Sequence, residues 1–355
     1  MTAPEIQAAA PGIDRSAMAA DAGNAPGSPA EPAWPHRHLL DVDVLTWPQI
    51  ELVLDTARHM AEIVAGDRPR STALRGIGVT NLFYESSTRT RVSFEVAAKQ
   101  LSADVVNVTV SGSSIEKGES LLDTMRTLEA LGARILVMRH ATSGAPHLVA
   151  GEFRGAVVNA GDGWHAHPTQ ALLDLYTLLR HLPGGSLRGR KVVILGDVLH
   201  SRVARSNLWT LTAAGADVWL CGPSTLLRGF EAWAAAGVAG ERRFHVTSDV
   251  DAALRDADAV MALRIQKERM ASGLLPSLGE YAARFGLTRE RLASASAECI
   301  VMHPGPMNEG VEIAADVATG RSSVVTEQVA NGVAIRMAVL ALVASAAGLP
   351  AGGAA

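Results

Sequence analysis

The stretch Tyr84-Glu85-Ser86-Ser87-Thr88-Arg89-Thr90-Arg91-Val92-Ser93-Phe94-Glu95 joins an apolar segment to a segment with the periodicity of a helix. Residues 77–84 are largely apolar and predict a buried strand, and the apolar residues between 94 and 101 follow the i, i+3, i+4, i+7 spacing of a helix. Several hydroxyls and two arginines therefore fall at a strand-to-helix turn. Free backbone N–H groups at a helix start favour anions, and Arg89 can add a two-pronged contact. The stretch predicts a phosphate-binding turn, although an ordinary capped surface helix would show the same residue types.

Strand and helix patterns alternate along most of the chain, which predicts parallel β-sheets flanked by helices. A first alternating set covers residues 36–182, a second covers residues 183–322, and the long helix that opens at His167 joins them. We expect an α/β fold of two domains, each with a parallel β-sheet flanked by helices, joined by long interdomain helices. A final helix within residues 323–349 is expected to pack back on the first domain.

The ends of the chain and its composition narrow the class of protein. Residues 1–35 are rich in Ala, Pro, Gly and Ser and predict a disordered tail, and residues 350–355 predict a flexible end. The 355 residues carry a net charge of −4, which argues against general nucleic-acid binding. Two distant cysteines and the lack of an N-terminal apolar segment predict a cytoplasmic protein without disulfides. The apolar run at residues 337–349 is too short to span a bilayer, so no membrane partner is expected.

Polar residues with binding chemistry follow six of the predicted strands. Because ligands bind outside the carboxyl ends of the strands in open parallel sheets, these strand ends predict one shared cleft between the domains. A single strand end would carry little weight, because residues 264–269 also fit an exposed charged face and residues 303–306 also fit a rigid turn. The strand-end residues are Ser87, Thr88, Arg89, Thr90, Arg139, His140, Asp162, His167, Asp197, Arg202, Arg264, Gln266 and His303.

The expected cleft carries cations and hydrogen-bond donors. No Ser-His-Asp or Cys-His set stands out, and the sequence has neither an HExxH motif nor a Walker-type GxxxxGK[ST] motif. We therefore expect no metal and no cofactor, and chemistry that combines anion binding with polarisation of a carbonyl group. The positive charge comes from Arg89, Lys117, Arg139, Arg202 and Arg264.

Six motifs, in this order, resemble those of the aspartate carbamoyltransferase catalytic chains within the aspartate/ornithine carbamoyltransferase superfamily. The resemblance covers about residues 36–349, which is nearly all of the expected ordered chain. The motifs are Ser87-Thr88-Arg89-Thr90-Arg91, Lys117-Gly118-Glu119-Ser120, Met138-Arg139-His140, His167-Pro168-Thr169-Gln170, Arg264-Ile265-Gln266-Lys267-Glu268-Arg269 and His303-Pro304-Gly305-Pro306.

The resemblance implies transfer of the carbamoyl group of carbamoyl phosphate to the amine of L-aspartate in pyrimidine biosynthesis. It implies that residues 36–182 bind carbamoyl phosphate and that residues 183–322 bind aspartate. The implied catalytic residues are Arg89, Thr90, Lys117, Arg139 and His167. The implied carbamoyl-phosphate-binding residues are Ser87, Thr88, Arg89, Thr90, Ser113, Arg139, His167, Gln170, Gly305 and Pro306. The implied aspartate-binding residues are Lys117, Arg202, Arg264 and Gln266.

The resemblance also implies an assembly. In the family, the loop that matches Ser113 and Lys117 reaches into the site of the neighbouring chain, which implies a homotrimer with shared active sites. Family members also occur in larger assemblies with regulatory chains or dihydroorotase-like chains, and the sequence does not choose among these. Gly305 stands where some relatives have leucine, and a contact through its backbone carbonyl should survive that change.

Two alternatives stay open at this point. An ornithine carbamoyltransferase shares the phosphate-binding half but typically has cysteines where this chain has Thr169 and Pro304. Arginines such as Arg264 suit an acidic amino acid and would repel the second amine of ornithine. A non-catalytic scaffold or regulatory homologue usually loses part of the phosphate-binding or carbonyl-polarising set, whereas this chain keeps it.

Overall fold

A computed structural model describes residues 34–109, 118–236, 244–266 and 273–349. The strands of the first half are β1 (Gly78–Phe83), β2 (Asp104–Thr109), β3 (Ala133–His140) and β4 (Ala156–Asp162). Its helices are α1 (Trp47–Ala65), α2 (Thr88–Gln100), α3 (Leu121–Ala130), α4 (Ala145–Glu152) and α5 (Pro168–His181). Within the described residues the four strands form a parallel sheet in the order β2-β1-β3-β4.

The second half repeats this arrangement with another sheet. Its strands are β5 (Lys191–Leu195), β6 (Asp217–Cys221), β7 (Phe244–Thr247), β8 (Ala259–Ala262) and β9 (Ile300–Met302). Its helices are α6 (Arg202–Ala213), α7 (Phe230–Ala236), α8 (Val250–Leu254), α9 (Leu278–Phe285), α10 (Arg289–Leu292), α11 (Ala315–Ala318) and α12 (Val325–Ala346). In the described part of the chain these five strands are parallel and ordered β7-β6-β5-β8-β9. The predicted α/β fold of two parallel sheets flanked by helices is confirmed.

Most strands are buried on both faces, including β4 at one edge of its sheet, which explains their nearly continuous apolar sequences. Every residue of β4 and β8 is buried, and β1 is buried from Val79 onward. Parallel sheets that are covered by helices on both faces require such strands. The edge strand β2 differs, because none of its residues is buried.

Helix α5 connects the two halves and is buried on nearly all sides. Residues 168–178 are all buried, and these include polar residues such as Asp174 and Thr177. The cause is tertiary packing, since α5 contacts β4, α6 and α12. Its buried polar side chains therefore need partners inside the protein.

Helix α12 returns the chain to the first half, where it packs against α1, α2 and α5. By length and apolar composition alone this helix could cross a membrane, but 61% of its most apolar window is buried inside the fold. It also carries three buried polar residues, Gln328, Asn331 and Arg336, which is expected of a core helix that borders a polar site.

The described chain begins at Trp34, inside the predicted disordered tail. The Trp34 side chain is buried, and its indole N–H donates to the carbonyl of His36 over 2.8 Å. Trp34, a residue within the predicted tail, is therefore part of the core. Residues 1–33 and the predicted flexible end, residues 350–355, lie outside the described residues.

Candidate active site

A cleft of about 900 Å³ is lined by residues from both halves of the chain. Every substrate-binding residue that the resemblance implies and the structure describes lines this cleft, whereas the strand-end residues His140, Asp162 and Asp197 do not. Ser113 and Lys117 lie outside the described residues. The carboxyl ends of β1, β3, β4, β8 and β9 supply the lining, as the strand-end argument requires. The predicted residues that meet here are Ser87, Thr88, Arg89, Thr90, Arg139, His167, Gln170, Arg202, Arg264, Gln266, Gly305 and Pro306.

The predicted phosphate-binding turn is the first turn of α2. Ser87 is its N-cap residue, but its side chain makes no capping hydrogen bond. The Ser87 hydroxyl instead donates to the Thr90 hydroxyl over 3.0 Å. Ser87 therefore leaves the amides of the first turn uncapped, which is the arrangement that binds anions at helix N-termini.

Arg89 stands in this turn and faces the second half of the chain. Partial burial lowers the pKa of Arg89, and the like charge of Arg264 lowers it further. Gly305 has φ +69°, and a side chain there would overlap the Arg89 guanidinium. The turn that contains Gly305 therefore lies directly against Arg89, and a side chain at this position would require the Arg89 guanidinium to move.

The carboxylate of Glu85 connects the two halves across the cleft. It accepts a hydrogen bond of 2.7 Å from Arg139 of β3. It also accepts two from Arg202 of α6, over 2.6 and 3.1 Å. Arg202 is buried and donates as well to the carbonyl of Gly163. Glu85 thus fixes two of the predicted substrate-binding arginines.

Glu85 was not among the predicted site residues, although it lies in the strand-to-helix stretch at residues 84–95. The sequence did contain a signal for it, because Glu85 follows a strand whose neighbours end in arginines. Arginines that are buried need a carboxylate as counter-charge.

His167 ends the loop that follows β4 and is almost fully buried. Its backbone N–H donates to the Ser206 hydroxyl over 2.9 Å, and its Nδ1 atom has no hydrogen-bond partner among the described residues. Burial, with the charges of Arg139, Arg202 and Arg336, holds the pKa of His167 well below its usual value. The imidazole is therefore neutral and offers one N–H donor.

Asp174 lies fully buried one helical turn after Gln170 and accepts hydrogen bonds from three helices. The donors are Gln170 Nε2 at 2.9 Å, Asn207 Nδ2 at 2.8 Å and Gln328 Nε2 at 2.6 Å. Burial raises the pKa of Asp174 to about 6, and the three amide donors oppose that rise. Gln328 in turn accepts from the backbone N–H of His303, so Asp174 connects Gln170 to the loop after β9. Asp174 was not among the site residues predicted from the sequence.

Asp197 positions the predicted aspartate-binding residue Gln266. Its buried carboxylate accepts from His200 Nδ1 at 2.8 Å and from the backbone N–H of Gln266 at 3.3 Å. The Gln266 side chain donates to the carbonyl of His200 over 3.1 Å. These contacts of Asp197 fix the loop after β8.

The assembled cleft combines an anion-binding helix start with guanidinium groups and neutral donors. A phosphate and a carboxylate could both be held by these charges, and a carbonyl oxygen between them would meet N–H donors. None of these interactions requires a covalent intermediate on the protein.

Two family models match the chain. The carbamoyl-phosphate-binding domain of the aspartate/ornithine carbamoyltransferases matches residues 37–180, and their aspartate/ornithine-binding domain matches residues 188–343. The aspartate carbamoyltransferase catalytic subunit of Roseiflexus sp. (strain RS-1) is 58% identical over 304 residues, which cover 86% of this chain and 94% of that protein.

Solved structures agree with the sequence comparison. An aspartate transcarbamoylase from Trypanosoma cruzi, in complex with carbamoyl phosphate and aspartate, has a TM-score of 0.74 at 29% identity, covering 85% of this chain and 93% of that chain. The ornithine carbamoyltransferase of Pyrococcus furiosus has a TM-score of 0.75 at 26% identity, covering 86% of this chain and 96% of that chain. The fold alone therefore does not separate the two acceptor amines.

The fold and the cleft define a two-domain α/β protein with a cationic site at the strand ends of both sheets. The family models that match both halves identify the family within this class. The chain belongs to the aspartate/ornithine carbamoyltransferase family. The resemblance found from the motifs is confirmed.

Proposed function

We propose that the chain transfers the carbamoyl group of carbamoyl phosphate to the amine of L-aspartate and releases N-carbamoyl-L-aspartate and phosphate. This is the aspartate carbamoyltransferase reaction of pyrimidine biosynthesis. One observation carries the proposal: the uncapped first turn of α2 lines the same cleft as Arg264 and His167. The 58% identity to an aspartate carbamoyltransferase catalytic subunit supports it further.

The first half of the site binds carbamoyl phosphate in this proposal. Ser87, Thr88, Arg89 and Thr90 hold the phosphate, with Ser113 as a further contact. Arg139, His167 and Thr90 donate to the carbamoyl oxygen. Gln170 accepts from the carbamoyl amino group, and the backbone carbonyls of Gly305 and Pro306 complete that contact.

The second half binds aspartate. Arg202 and Arg264 pair with its carboxylates, Gln266 supports them, and Lys117 adds positive charge. The neutral amine of aspartate then attacks the planar carbonyl carbon, so negative charge grows on the carbonyl oxygen. The C–O bond to the phosphate breaks as the C–N bond forms, and the leaving phosphate takes the proton that the amine loses. Preorganised donors stabilise this charge, and holding both substrates in one cleft removes much of the entropic cost.

The alternative acceptor is ornithine. Arg202 and Arg264 disfavour it, because a second amine would meet guanidinium groups. A steady-state assay with carbamoyl phosphate and either amino acid separates the possibilities. Turnover with aspartate supports the proposal, whereas turnover with ornithine alone overturns it. Turnover with neither would point to a non-catalytic scaffold or regulator.

We also propose a homotrimer in which Ser113 and Lys117 complete the site of a neighbouring chain. The exposed apolar side chains of Val92, Val96 and Val106 on α2 and β2 support an interface next to the segment that carries these two residues. Mixing Lys117→Ala chains with Arg89→Ala chains tests the proposal, since shared sites restore part of the activity in mixed trimers. Absence of rescue in trimers shown to be mixed would argue against shared sites.

A larger assembly with regulatory or dihydroorotase-like chains in the cytoplasm is compatible with this trimer. Light scattering of the full chain and of a chain lacking residues 1–33 would test whether the tail takes part. An unchanged number of chains per particle would exclude the tail from the assembly.

A further inference from the structure

Three potential metal ligands gather outside the lining of the catalytic cleft. They are His147 on α4, Asp162 at the end of β4 and His165 in the loop that follows. One ligand atom of each residue lies within 4.8 Å of the ligand atoms of the other two. Nothing in the proposed transferase chemistry uses His147 or His165, so the cluster calls for a separate explanation.

Asp162 and His165 already stand at the separation that a metal ion requires. His165 Nδ1 lies 3.1 Å from Asp162 Oδ2. Two ligand atoms on a tetrahedral Zn²⁺ ion, each at about 2.0–2.1 Å from it, lie about 3.3 Å apart. A metal ion can therefore replace the hydrogen bond between these atoms with almost no movement of either residue.

The Asp162 carboxylate is held in place by donors that would stay outside the coordination sphere. Gly144 donates to Oδ2 through its backbone N–H over 2.7 Å, and Asn159 donates to Oδ1 over 2.8 Å. The backbone N–H of Ala166 adds a third bond to Oδ1, over 3.1 Å. Hydrogen bonds of this kind orient the carboxylate ligands of metal sites.

Asp41 orients the His165 ring from the side opposite Asp162. Its Oδ2 atom lies 3.5 Å from His165 Nε2. A proton on Nε2 that faces Asp41 leaves the lone pair of Nδ1 directed toward Asp162. This is the carboxylate–histidine–metal arrangement that fixes the tautomer and orientation of metal-binding histidines.

His147 supplies the third ligand from an exposed position. Its ring centroid lies 5.5 Å from that of His165 in an edge-to-face contact. Because the His147 side chain is exposed, it can rotate onto an ion held by the other two residues without disturbing the core. Two imidazoles and one carboxylate suit Zn²⁺ and similar transition metals rather than Mg²⁺ or Ca²⁺.

We propose that His147, Asp162 and His165 bind one divalent transition-metal ion, Zn²⁺ in the first instance, with water completing the coordination. The ion would join the start of α4 to the loop after β4. That loop carries the Gly163 carbonyl, which accepts from Arg202, and it ends at His167. Metal binding would therefore stabilise the segment that brings these groups into the cleft. The alternative is a metal-free His165 imidazolium between two carboxylates, for which His147 is not needed.

Isothermal titration calorimetry of the full-length protein with ZnCl₂, near neutral pH and without phosphate, tests the proposal. We expect one ion per chain, and we expect His147→Ala to weaken the affinity at least about tenfold, although the folded state should tolerate this exposed change. Asp41→Asn should weaken it about tenfold or more, since it removes the group that orients His165. His59→Ala, which changes an exposed histidine on α1, is the matched control and should bind as the wild type does.

The same titration also contains the results that would overturn the proposal. Binding of Zn²⁺ with equal affinity to the wild type, His147→Ala and Asp41→Asn would mean an adventitious ion only. Absence of Zn²⁺ binding to the wild type would overturn the proposal and favour a metal-free His165 imidazolium between the two carboxylates. Because the readout is binding, it does not depend on whether the proposed transferase activity is correct.

Discussion

The side-chain amide of Gln170 donates from Nε2 to the buried carboxylate of Asp174 over 2.9 Å. An ionised carboxylate only accepts hydrogen bonds, so this contact fixes which end of the Gln170 amide faces Asp174. The Oε1 atom is left for the cleft, which Gln170 lines. Asp174 therefore makes Gln170 an acceptor for substrate, which is what the amino group of a carbamoyl donor requires.

Asp174→Asn should impair use of carbamoyl phosphate. Asparagine is uncharged and leaves one acceptor oxygen for three amide donors, so the contact that orients Gln170 is weakened. A hydrogen bond to a charged group contributes about 1.5–3 kcal/mol, which predicts a fall in kcat/KM for carbamoyl phosphate of about ten- to a hundredfold. Steady-state kinetics with carbamoyl phosphate varied at saturating aspartate measures it.

Asn207→Ala is the matched control for this variant. It removes another donor to Asp174, at 2.8 Å, but leaves the Gln170 contact in place. We expect a loss of stability with a much smaller loss of kcat/KM. Equal kinetic losses in both variants would mean that Asp174 acts only through stability.

The same carboxylate predicts a pH dependence of stability. Burial raises the pKa of Asp174 from 3.8 to about 6 in the folded chain. Between these values the folded chain holds a proton that the unfolded chain has lost, so the contribution of Asp174 to stability falls as the pH rises through this window and is constant above it.

Denaturant unfolding of the wild type and Asp174→Asn from pH 4 to pH 7 measures this contribution. The free energy of unfolding of the wild type, relative to the variant, should fall by up to about 1.4 kcal/mol per pH unit up to about pH 6. If the free energies of unfolding of the two proteins ran parallel with pH, Asp174 would have the same pKa in the folded and unfolded chains.

Glu85→Gln should make the protein less stable and more responsive to anions. The change removes the counter-charge of Arg139 and Arg202, which are mostly buried, and we expect a loss of about 3 kcal/mol in the free energy of unfolding. Inorganic phosphate can supply the missing negative charge, so it should raise the melting temperature of the variant more than that of the wild type.

Glu95→Gln provides the comparison for Glu85→Gln. Glu95 also pairs with a cation, Lys99, but it lies outside the cleft lining. Its response to phosphate should match the wild type. If phosphate shifted the melting temperatures of the Glu85 variant and the wild type equally, the two arginines would not be exposed to added anions.

The sequence predicted the elements that are defined by continuous apolar runs. Strands β5 and β6, Lys191–Leu195 and Asp217–Cys221, coincide with apolar runs that a charged residue opens and a glycine follows. Helix α2 begins at Thr88, well before the periodic apolar residues that start at Phe94, since backbone hydrogen bonds and not apolar periodicity set a helix start. Five short helices of the second half, α7 to α11, have too few residues for periodicity to reveal.

Site residues could be predicted from the sequence where polar or charged residues directly follow a strand. Residues whose role depends on partners far away in the sequence could not. Glu85 meets Arg202 117 positions away, and Asp174 meets Gln328 154 positions away. Arg336, another cleft residue that the sequence argument missed, donates to Ser93 across 243 positions. No local pattern encodes such pairs. The roles of all the site residues, Ser113 and Lys117 included, stay predictions.

Arg264→Ala and Arg89→Ala should separate the two halves of the cleft. Arg264 follows β8 in the half assigned to aspartate, so its removal should raise the KM for aspartate about tenfold or more with little change in carbamoyl phosphate binding. Arg89 lies at the start of α2 and would stabilise charge on the leaving phosphate, so its removal should lower kcat about 10²–10³-fold. Steady-state kinetics with each substrate varied in turn measures both effects, and Arg126→Ala, an exposed change on α3, is the control. Unchanged aspartate kinetics in Arg264→Ala would remove that residue from the amine site, and the choice of aspartate over ornithine would lose its charge argument.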